Sequence, residues 1–252
     1  MIYAIIPARF GSTRLPGKPL LNATGKPLIQ HVYEAVRHCS EIDDIIVATD
    51  HEDIMNCVKS FGGKAVMTSL DHDTGTDRIW EAAQALGVKS DDLIINVQGD
   101  EPEINAEDLS LLISAQKASD AFMSTLACPL SNVSDDSSAL INNPNAVKVT
   151  LSKPSSSGFA KALYFSRAPI PYPRGDALRP AYLHVGLYAF TGESLQTFCG
   201  LPKSDLEMCE SLEQLRALEN GFDICIAKVK AANAGIDTPE DYAAFVKRDS
   251  QV

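Results

Sequence analysis

The segment that follows the first apolar run of the chain concentrates cationic and hydroxyl side chains. Residues 8–19 read Ala-Arg-Phe-Gly-Ser-Thr-Arg-Leu-Pro-Gly-Lys-Pro, with three cations, two hydroxyls and two glycines. Glycine lets a backbone approach a phosphate closely, exposed amides can contact its oxygens, and arginine and lysine balance its charge. This composition favours a loop that binds a triphosphate, although a basic surface loop would have the same composition.

The spacing within this segment excludes two common phosphate-binding loops. A dinucleotide-binding loop requires GxGxxG at the start of a helix, and that pattern does not occur here. A P-loop requires four residues between its glycines and a Ser or Thr after its lysine. Here five residues separate Gly11 from Gly17, and Pro19 follows Lys18. Phosphate binding by this segment would therefore use a loop of another kind.

Two acidic positions could hold a divalent cation. Asp100 lies in Gln98-Gly99-Asp100-Glu101-Pro102, directly after an apolar run, and Asp237 lies near the C-terminus before Thr238-Pro239. Magnesium is commonly held by one or two carboxylates, with phosphate and water in its other positions. The alternative is that Asp100 or Glu101 caps the N-terminus of the next helix, and that Asp237 or Thr238 caps the last one.

Apolar runs alternate with amphipathic segments through the first half of the chain. Strands are predicted over 2–6, 45–49, 65–68 and 93–97, and helices over 27–40, 52–61, 77–86 and 106–117. Each strand is too apolar to face water, so the pattern predicts an α/β fold with a parallel sheet covered by helices on both faces. Such sheets bind ligands at the carboxyl ends of their strands, where the basic loop and the acidic turn lie.

The second half of the chain is less regular. Strand-like runs occur at 122–127, 147–151, 162–166, 183–190 and 222–229, with a helix predicted near 205–219. The absence of a long linker predicts one domain over 1–252, with a smaller lobe at roughly 129–200 inserted within it.

Bulk composition narrows the class of protein. The net charge of −11 argues against nucleic-acid binding, and no apolar run approaches the ~20 residues that cross a bilayer. The six cysteines form no CxxC pair and have no zinc-ligand spacing. We therefore expect a cytoplasmic protein with reduced thiols and no membrane partner.

Taken together, these motifs resemble the bacterial CMP-Kdo synthetases, which are 3-deoxy-manno-octulosonate cytidylyltransferases. The resemblance covers nearly the whole chain. It comprises residues 6–9, 12–20, 25–27, 48–53, 67–68, 71–72, 75–78, 96–102, 143–149, 162–167, 184–188, 212–216 and 237–241. It implies a Rossmann-like nucleotidyltransferase fold with a mostly parallel sheet, and a homodimer formed through the smaller lobe.

The resemblance also assigns roles to individual residues. The implied nucleotide-binding residues are Ala8, Arg9, Ser12, Thr13, Arg14, Lys18, Arg78 and Gln98. The implied sugar-acid residues are Gln98, Arg167, Arg174, His184, Tyr188, Glu213 and Gln214. Asp100 and Asp237 would ligate Mg²⁺, and the catalytic set would be Arg9, Lys18, Asp100 and Asp237.

The implied reaction couples CTP to Kdo and releases pyrophosphate, activating the sugar for lipopolysaccharide synthesis. Several positions depart from the usual family pattern: Leu183 replaces a basic residue, the segment 175–182 is short, and Pro173 and the pair Ala234-Gly235 are also unusual. All of them concern the sugar side. An 8-amino analogue of Kdo or a sialic-acid-type sugar therefore stays open as the substrate. A non-catalytic nucleotide sensor is the alternative from another class of protein.

Overall fold

The computed structural model describes residues 1–11, 15–133, 137–172, 174, 181–232 and 235–250. The chain forms two compact units. The first unit comprises Met1–Ser110 together with residues 233–252, and the second comprises Leu111–Ala232. The lobe predicted at 129–200 lies within the second unit. No helix in the described ranges is both long and apolar enough to span a bilayer.

The first unit is built on a parallel sheet. Its strands are β1 (Ile2–Ala8), β2 (Asp44–Thr49), β3 (Lys64–Met67) and β4 (Leu93–Asn96), in the order β3-β2-β1-β4. The pairings of β1 with β2, β1 with β4 and β2 with β3 are all parallel, as the alternating pattern predicts. β1, β2 and β4 are largely buried, but Lys64 and Met67 of β3 are exposed. The expectation that every strand of this sheet is shielded from water is therefore wrong for β3, because β3 lies at the edge.

The helices of the first unit are α1 (Leu28–Arg37), α2 (Glu52–Ser60), α3 (Gly75–Ala85) and α9 (Pro239–Asp249), and α4 (Ala106–Lys117) begins in this unit. In α1 the residues Leu28, Ile29, Val32 and Val36 recur at helical spacing and are fully buried. α9 begins after Thr238, which accepts from the Asp241 amide in a capping box. Thr238 is therefore the cap of this helix.

The second unit has mainly antiparallel pairing. Its strands are β5 (Met123–Pro129), β6 (Lys148–Leu151), β7 (Ala160–Ser166), β8 (Tyr182–Thr191) and β9 (Ile224–Lys228), in the order β8-β5-β9-β7-β6. Only β5 and β9 are parallel among the pairings described here. β6 also pairs with β8, so the series of pairings returns to its first strand. The α/β fold is confirmed, with parallel pairing in the first unit and mixed pairing in the second.

The helices of the second unit differ from the prediction in three places, because two short helices were not predicted and one predicted helix is interrupted. They are α5 (Ser137–Asn142), α6 (Gly192–Gly200), α7 (Asp205–Glu210) and α8 (Gln214–Glu219). The single helix predicted near 205–219 is wrong, because Ser211 adopts a left-handed conformation, with φ of 52°, that ends α7. α6 was not predicted. Its sequence signal is Thr191, which forms a capping box with Ser194.

A buried ion pair holds α7 against α8. The guanidinium of Arg216 donates to both carboxylate oxygens of Glu207 at 2.7 and 2.6 Å, and both side chains are less than a tenth exposed. Removing one partner leaves the other charge buried without compensation. We expect Glu207→Ala to lower the free energy of unfolding by about 3–5 kcal/mol, measured as a fall in the thermal midpoint.

The control for this prediction is Asp223→Ala. Asp223 pairs with Lys161, and both side chains are more than half exposed. Exposed pairs contribute about 0–1 kcal/mol, so this variant should unfold close to the wild-type temperature. Equal shifts in the two variants would contradict the assignment of a structural role to the Glu207–Arg216 pair.

Candidate active site

A cavity of about 290 Å³ opens at the carboxyl ends of the strands of the first unit. Its walls come from the residues after β1, the turn after β4, the start of α3 and the segment before α9. The lining includes Pro7, Ala8, Arg9, Lys18, Pro19, His72, Asp73, Thr74, Gly75, Arg78, Gln98, Gly99, Asp100 and Asp237. Parallel sheets bind ligands at this edge, as the sequence pattern predicts.

Lys18 joins three segments of the first unit that are distant in sequence. Gly17 adopts a left-handed conformation, with φ of 65°, and starts a short 3₁₀ helix over Lys18–Leu20. From there the Lys18 ammonium donates to Asp100 Oδ2 at 2.8 Å and to the Ile236 carbonyl at 2.8 Å. Its distance to Asp237 Oδ1 is 3.5 Å. Two predicted metal ligands and a predicted phosphate ligand therefore lie together.

The turn that carries Asp100 is not the cap of a helix. α4 begins at Ala106, and the Asn105 side chain accepts from the Glu107 amide at 2.8 Å. Asp100 instead accepts through its backbone carbonyl from the Ile236 amide at 2.8 Å. Asp100 and Asp237 are thus held on adjoining segments, and neither is a helix cap in this structure.

Gly99 is required sterically in this turn. A Cβ atom at Gly99 would lie 2.7 Å from the carbonyl oxygen of Pro7, which belongs to the backbone of β1. Because a backbone atom cannot move aside easily, Gly99→Ala should displace the turn and Asp100 with it. We expect any catalytic turnover that uses Asp100 to fall about tenfold or more, since small misplacements of reacting groups are costly.

The control for this prediction is Gly200→Ala, where a Cβ atom would meet nothing within 4 Å. Steady-state turnover of the two variants, with thermal midpoints to confirm folding, gives the comparison. Wild-type turnover by the Gly99 variant would mean that the turn tolerates the displacement.

Glu101 follows Asp100 and is held in a different environment. Desolvation raises the pKa of its carboxyl to about 8, and the negative charge of Asp100 raises it further in the same direction. At neutral pH the Glu101 side chain is therefore mainly protonated.

The start of the basic loop is anchored by residues that sequence reasoning did not assign. Asp50, at the end of β2, accepts from the Phe10 amide at 3.3 Å and from the Arg78 guanidinium at 2.7 Å. Arg78 also donates to Thr68 Oγ1 at 2.6 Å. The ring of Phe10 stacks on His51, with 4.0 Å between centroids. The predicted nucleotide residue Arg78 is therefore almost fully buried and tied to the carboxylate that holds the loop.

His72 lines this cavity and was not assigned a role from the sequence. Its Nε2 is hydrogen-bonded to the Glu81 carboxylate, which also accepts from the Ser69 amide at 2.9 Å. The imidazole is thereby fixed in orientation at the cavity wall. The motif Asp71-His72 could have drawn attention to it, but nothing in its spacing indicated a partner on α3.

The remaining predicted nucleotide residues have less defined surroundings. Arg9 is exposed. Arg9, Ala8 and Gln98 all line the cavity. Ser12, Thr13 and Arg14 lie outside the described residues. Their roles stay predictions.

In the second unit, Arg167 contacts the turn between α7 and α8. Its guanidinium donates to the carbonyls of Glu210 at 2.6 Å, Ser211 at 3.2 Å and Pro144 at 3.0 Å. The Glu210 carboxylate in turn accepts from the Arg167 amide at 2.8 Å and from Ser166 Oγ at 2.6 Å. These contacts hold the left-handed Ser211 in place. Glu210 was not assigned from the sequence, because it reads as a solvated helix charge.

His184 and Tyr188 lie on one face of β8 in the second unit. The pairing of β5 with β8 shifts between Thr125 and Leu126, which marks a bulge. Thr125 Oγ1 donates a hydrogen bond to the Leu187 carbonyl at 2.7 Å. The same oxygen lies 3.0 Å from His184 Nε2. His184 Nε2 therefore donates to Thr125, and the neutral ring leaves Nδ1 as an acceptor.

Gln214 and Tyr188 form the buried end of the set of polar side chains that includes Thr125 and His184. The Tyr188 hydroxyl donates to Gln214 Oε1 at 3.2 Å. Gln214 Nε2 is buried, and none of the described residues accepts a hydrogen bond from it. A buried unpaired donor is costly, and a ligand acceptor would satisfy it. Glu213 lies directly before α8, and Arg174 is exposed. Pro173 and residues 175–180 lie outside the described residues.

The comparisons with known proteins agree on one family. A family model described as cytidylyltransferase matches residues 3–224. A 3-deoxy-manno-octulosonate cytidylyltransferase of Syntrophobacter fumaroxidans is 47% identical, over 97% of this chain and 95% of its own length. The chain belongs to the 3-deoxy-manno-octulosonate cytidylyltransferase family.

Other members of this cytidylyltransferase family bear on the sugar. An 8-amino-3,8-dideoxy-manno-octulosonate cytidylyltransferase of Shewanella pealeana is 46% identical, over 94% of each chain. The solved structure of a CMP:2-keto-3-deoxy-manno-octonic acid synthetase complexed with CTP is 41% identical, with a TM-score of 0.89 and coverage of 99% and 98%. A Leptospira borgpetersenii cytidylyltransferase, 17% identical with a TM-score of 0.63, shares the fold.

One departure from the cytidylyltransferase pattern has a structural reason. Leu183 packs against a cluster of Leu130, Ile141 and Ala181 in the second unit. A basic side chain at this position would place its charge against three buried apolar residues. Ala234 lies outside the described residues, and Gly235 approaches the Asp100 carbonyl, where a Cβ atom would lie 3.7 Å away.

The protonation of His184 gives a testable prediction for this cytidylyltransferase. Burial lowers the pKa of His184 from 6.5 to about 3. The unfolded chain therefore binds a proton that the folded chain excludes between these values, so His184 destabilises the fold as pH falls below 6.5. We expect its ring resonances to show no titration between pH 5 and 8 by NMR, assigned by comparison with His184→Gln. A titration midpoint near 6.5 would contradict this.

Proposed function

We propose that this chain couples CTP to 3-deoxy-manno-octulosonate (Kdo), or to its 8-amino analogue, giving a CMP-sugar and pyrophosphate. The observation that carries the proposal is the meeting of Lys18 with Asp100 and Asp237 in a cavity at the carboxyl ends of a parallel sheet. The near full-length similarity to enzymes named for this reaction supports it. The product would supply activated sugar for lipopolysaccharide synthesis.

The reaction joins two anions, and the residues divide between the two units accordingly. In the first unit Arg9 and Lys18 would balance the phosphate charge of CTP, with Ser12, Thr13 and Arg14 completing the loop. Gln98 and Arg78 would line the nucleotide pocket. In the second unit Arg167, Arg174, His184, Tyr188, Glu213 and Gln214 would hold the sugar acid. The unpaired Nε2 of Gln214 supports a sugar oxygen as its partner.

In the chemical step, the anomeric hydroxyl oxygen of the sugar forms a bond to the α-phosphorus of CTP. The bond from that phosphorus to the bridging oxygen of the β-phosphate breaks, and pyrophosphate leaves. The hydroxyl proton passes to solvent or to a neighbouring phosphate oxygen. Arg9 and Lys18 would stabilise the charge that develops on pyrophosphate, and in-line positioning of the two substrates would supply much of the rate.

Magnesium is the metal that the acidic residues would hold. The described residues contain no group of three or more His, Cys, Asp or Glu side chains arranged for a metal. Asp100 and Asp237 offer two hard carboxylate oxygens, which lie 2.8 and 3.5 Å from the same Lys18 ammonium. Such a pair fits an ion that takes its other ligands from phosphate and water. Bound there, Mg²⁺ would neutralise phosphate charge and lower the pKa of a nearby hydroxyl.

We also propose that the protein is a cytoplasmic homodimer. CTP is a cytoplasmic nucleotide, and the family resemblance implies a dimer contact formed by the lobe in the second unit. The mass of the full chain in solution, measured by light scattering, tests the dimer. A monomer at micromolar concentration would contradict it.

The function is tested by pyrophosphate release with CTP and Mg²⁺ against three sugars: Kdo, its 8-amino analogue and sialic acid. We expect release with Kdo or the 8-amino analogue, none with sialic acid, and none when sugar is omitted. Pyrophosphate release with sialic acid alone would show that the substrate is a sialic-acid-type sugar and not Kdo or its 8-amino analogue. Binding of CTP without release with any sugar would support a nucleotide sensor instead.

A further inference from the structure

The Lys18 ammonium is fully engaged by the acidic segments of the first unit. An ammonium carries three donors, and three acceptors surround it: Asp100 Oδ2, the Ile236 carbonyl and Asp237 Oδ1. The side chain is only 14% exposed. In this arrangement two close acceptors at 2.8 Å and a longer contact at 3.5 Å already surround the ammonium, so a phosphate would have to compete with them for its hydrogens, although the predicted role of Lys18 is to bind a phosphate.

The same two carboxylates are the proposed ligands of the metal. Mg²⁺ approaches carboxylate oxygens to about 2.0–2.1 Å, whereas the ammonium already lies at 2.8 Å from one and 3.5 Å from the other. A divalent ion at this position would be repelled by the ammonium at short range. The two cations therefore compete for one place, and the lysine holds it in the ligand-free chain.

The Lys18 side chain can move away from the carboxylates while its backbone stays in place. The 3₁₀ helix over Lys18–Leu20 is fixed by the left-handed Gly17 at its start and by the buried Pro19. The four-carbon stem of lysine is flexible. A triphosphate bound in the cavity would carry several negative charges and would compete with the carboxylates for the ammonium. Both the lysine and the carboxylates line that cavity.

We propose that Lys18 is an internal counter-ion that closes the Asp100–Asp237 pair to divalent cations until the phosphates of a nucleotide draw the ammonium away. The proposal rests on the function and the metal site proposed above. It implies that the metal enters with the nucleotide or after it. It also implies that the free enzyme does not keep a metal ion on these two carboxylates.

The test is a titration of Mn²⁺ into the full chain without nucleotide, with free Mn²⁺ measured by electron paramagnetic resonance. The variants are Lys18→Met, the double variant Lys18→Met/Asp237→Asn, and Lys26→Met as the matched control. Lys26 lies in the same basic segment but pairs with Glu34 at the surface. Circular dichroism and thermal midpoints establish that each variant is folded, and Lys18→Gln replaces Lys18→Met if the latter is not.

We expect Lys18→Met to bind Mn²⁺ at least tenfold more tightly than wild type, and Asp237→Asn in the same chain to reverse the gain. Lys26→Met should bind like wild type. Unchanged Mn²⁺ affinity in Lys18→Met, or a gain that Asp237→Asn does not reverse, would overturn the proposal.

Failure of the proposed cytidylyltransferase function would give a different experimental result from failure of the counter-ion role. If wild type releases pyrophosphate from CTP and a sugar acid but Lys18→Met binds Mn²⁺ no better, the counter-ion role alone fails. If wild type releases none, the proposed function fails, whatever the Mn²⁺ titration gives.

Discussion

Asp100→Asn is expected to reduce turnover with CTP by roughly 100- to 1000-fold while leaving the fold intact. The substitution keeps the shape of the side chain and removes the charge that would hold the metal. A metal ion contributes several kcal/mol of charge stabilisation in such reactions, and each 1.4 kcal/mol is about a factor of ten. The backbone carbonyl of residue 100 still accepts from the Ile236 amide, so the two acidic segments stay joined.

The measurement is pyrophosphate release at saturating CTP and sugar, across a range of Mg²⁺ concentrations. The control is Glu103→Gln, an acid of the same segment that pairs with Arg248 at 2.7 Å near the surface. It should keep wild-type turnover. Normal release by the Asp100 variant would refute its role in holding the metal, and recovery at high Mg²⁺ would show that affinity alone had been reduced.

Lys18→Ala is the second substitution with a large expected effect. The variant should lose about 100-fold or more in turnover, because the positive charge that stabilises the leaving pyrophosphate is gone. The loss should appear mainly in kcat, with a smaller rise in KM for CTP, since Arg9 would still contact the nucleotide. Arg9 lines the same cavity and is exposed to it.

Lys26→Ala is the matched control for this variant, because its charge lies in the same basic segment and pairs with Glu34 at the surface. If Lys18→Ala and Lys26→Ala turned over at equal rates, Lys18 would have no part in the chemical step. A Lys18 variant that binds metal more tightly and still turns over slowly would separate its two proposed roles.

Most strands and helices of the first unit could be predicted from hydrophobic periodicity and from the Gly and Pro residues that flank them. The apolar runs ending at Pro7 and at Gln98 predicted parallel strands whose carboxyl ends carry chemistry, and both now line one cavity. The family motifs then identified Asp237, which periodicity alone would have interpreted as a helix cap. The structure brings Asp237 beside Asp100 through Lys18, and gives the cap to Thr238.

Several of the features that sequence reasoning missed depend on contacts between distant segments. Ser211 breaks a helix that its own neighbours favour, because Arg167 binds the carbonyls on either side of the break. Glu210 and Asp50 look like ordinary polar residues until their partners are in place. Local propensity cannot contain such information, since each of these conformations is stabilised by a residue more than 20 positions away.

The short strand β3 limits how copies of this chain can associate. It contributes only the four residues Lys64–Met67 at one side of its sheet, and its first residue pairs an exposed ammonium with Asp44. A second chain that extended the sheet here would have to cover that charge. Self-association by strand addition at β3 is therefore disfavoured, and any dimer of this chain is expected to use a different surface.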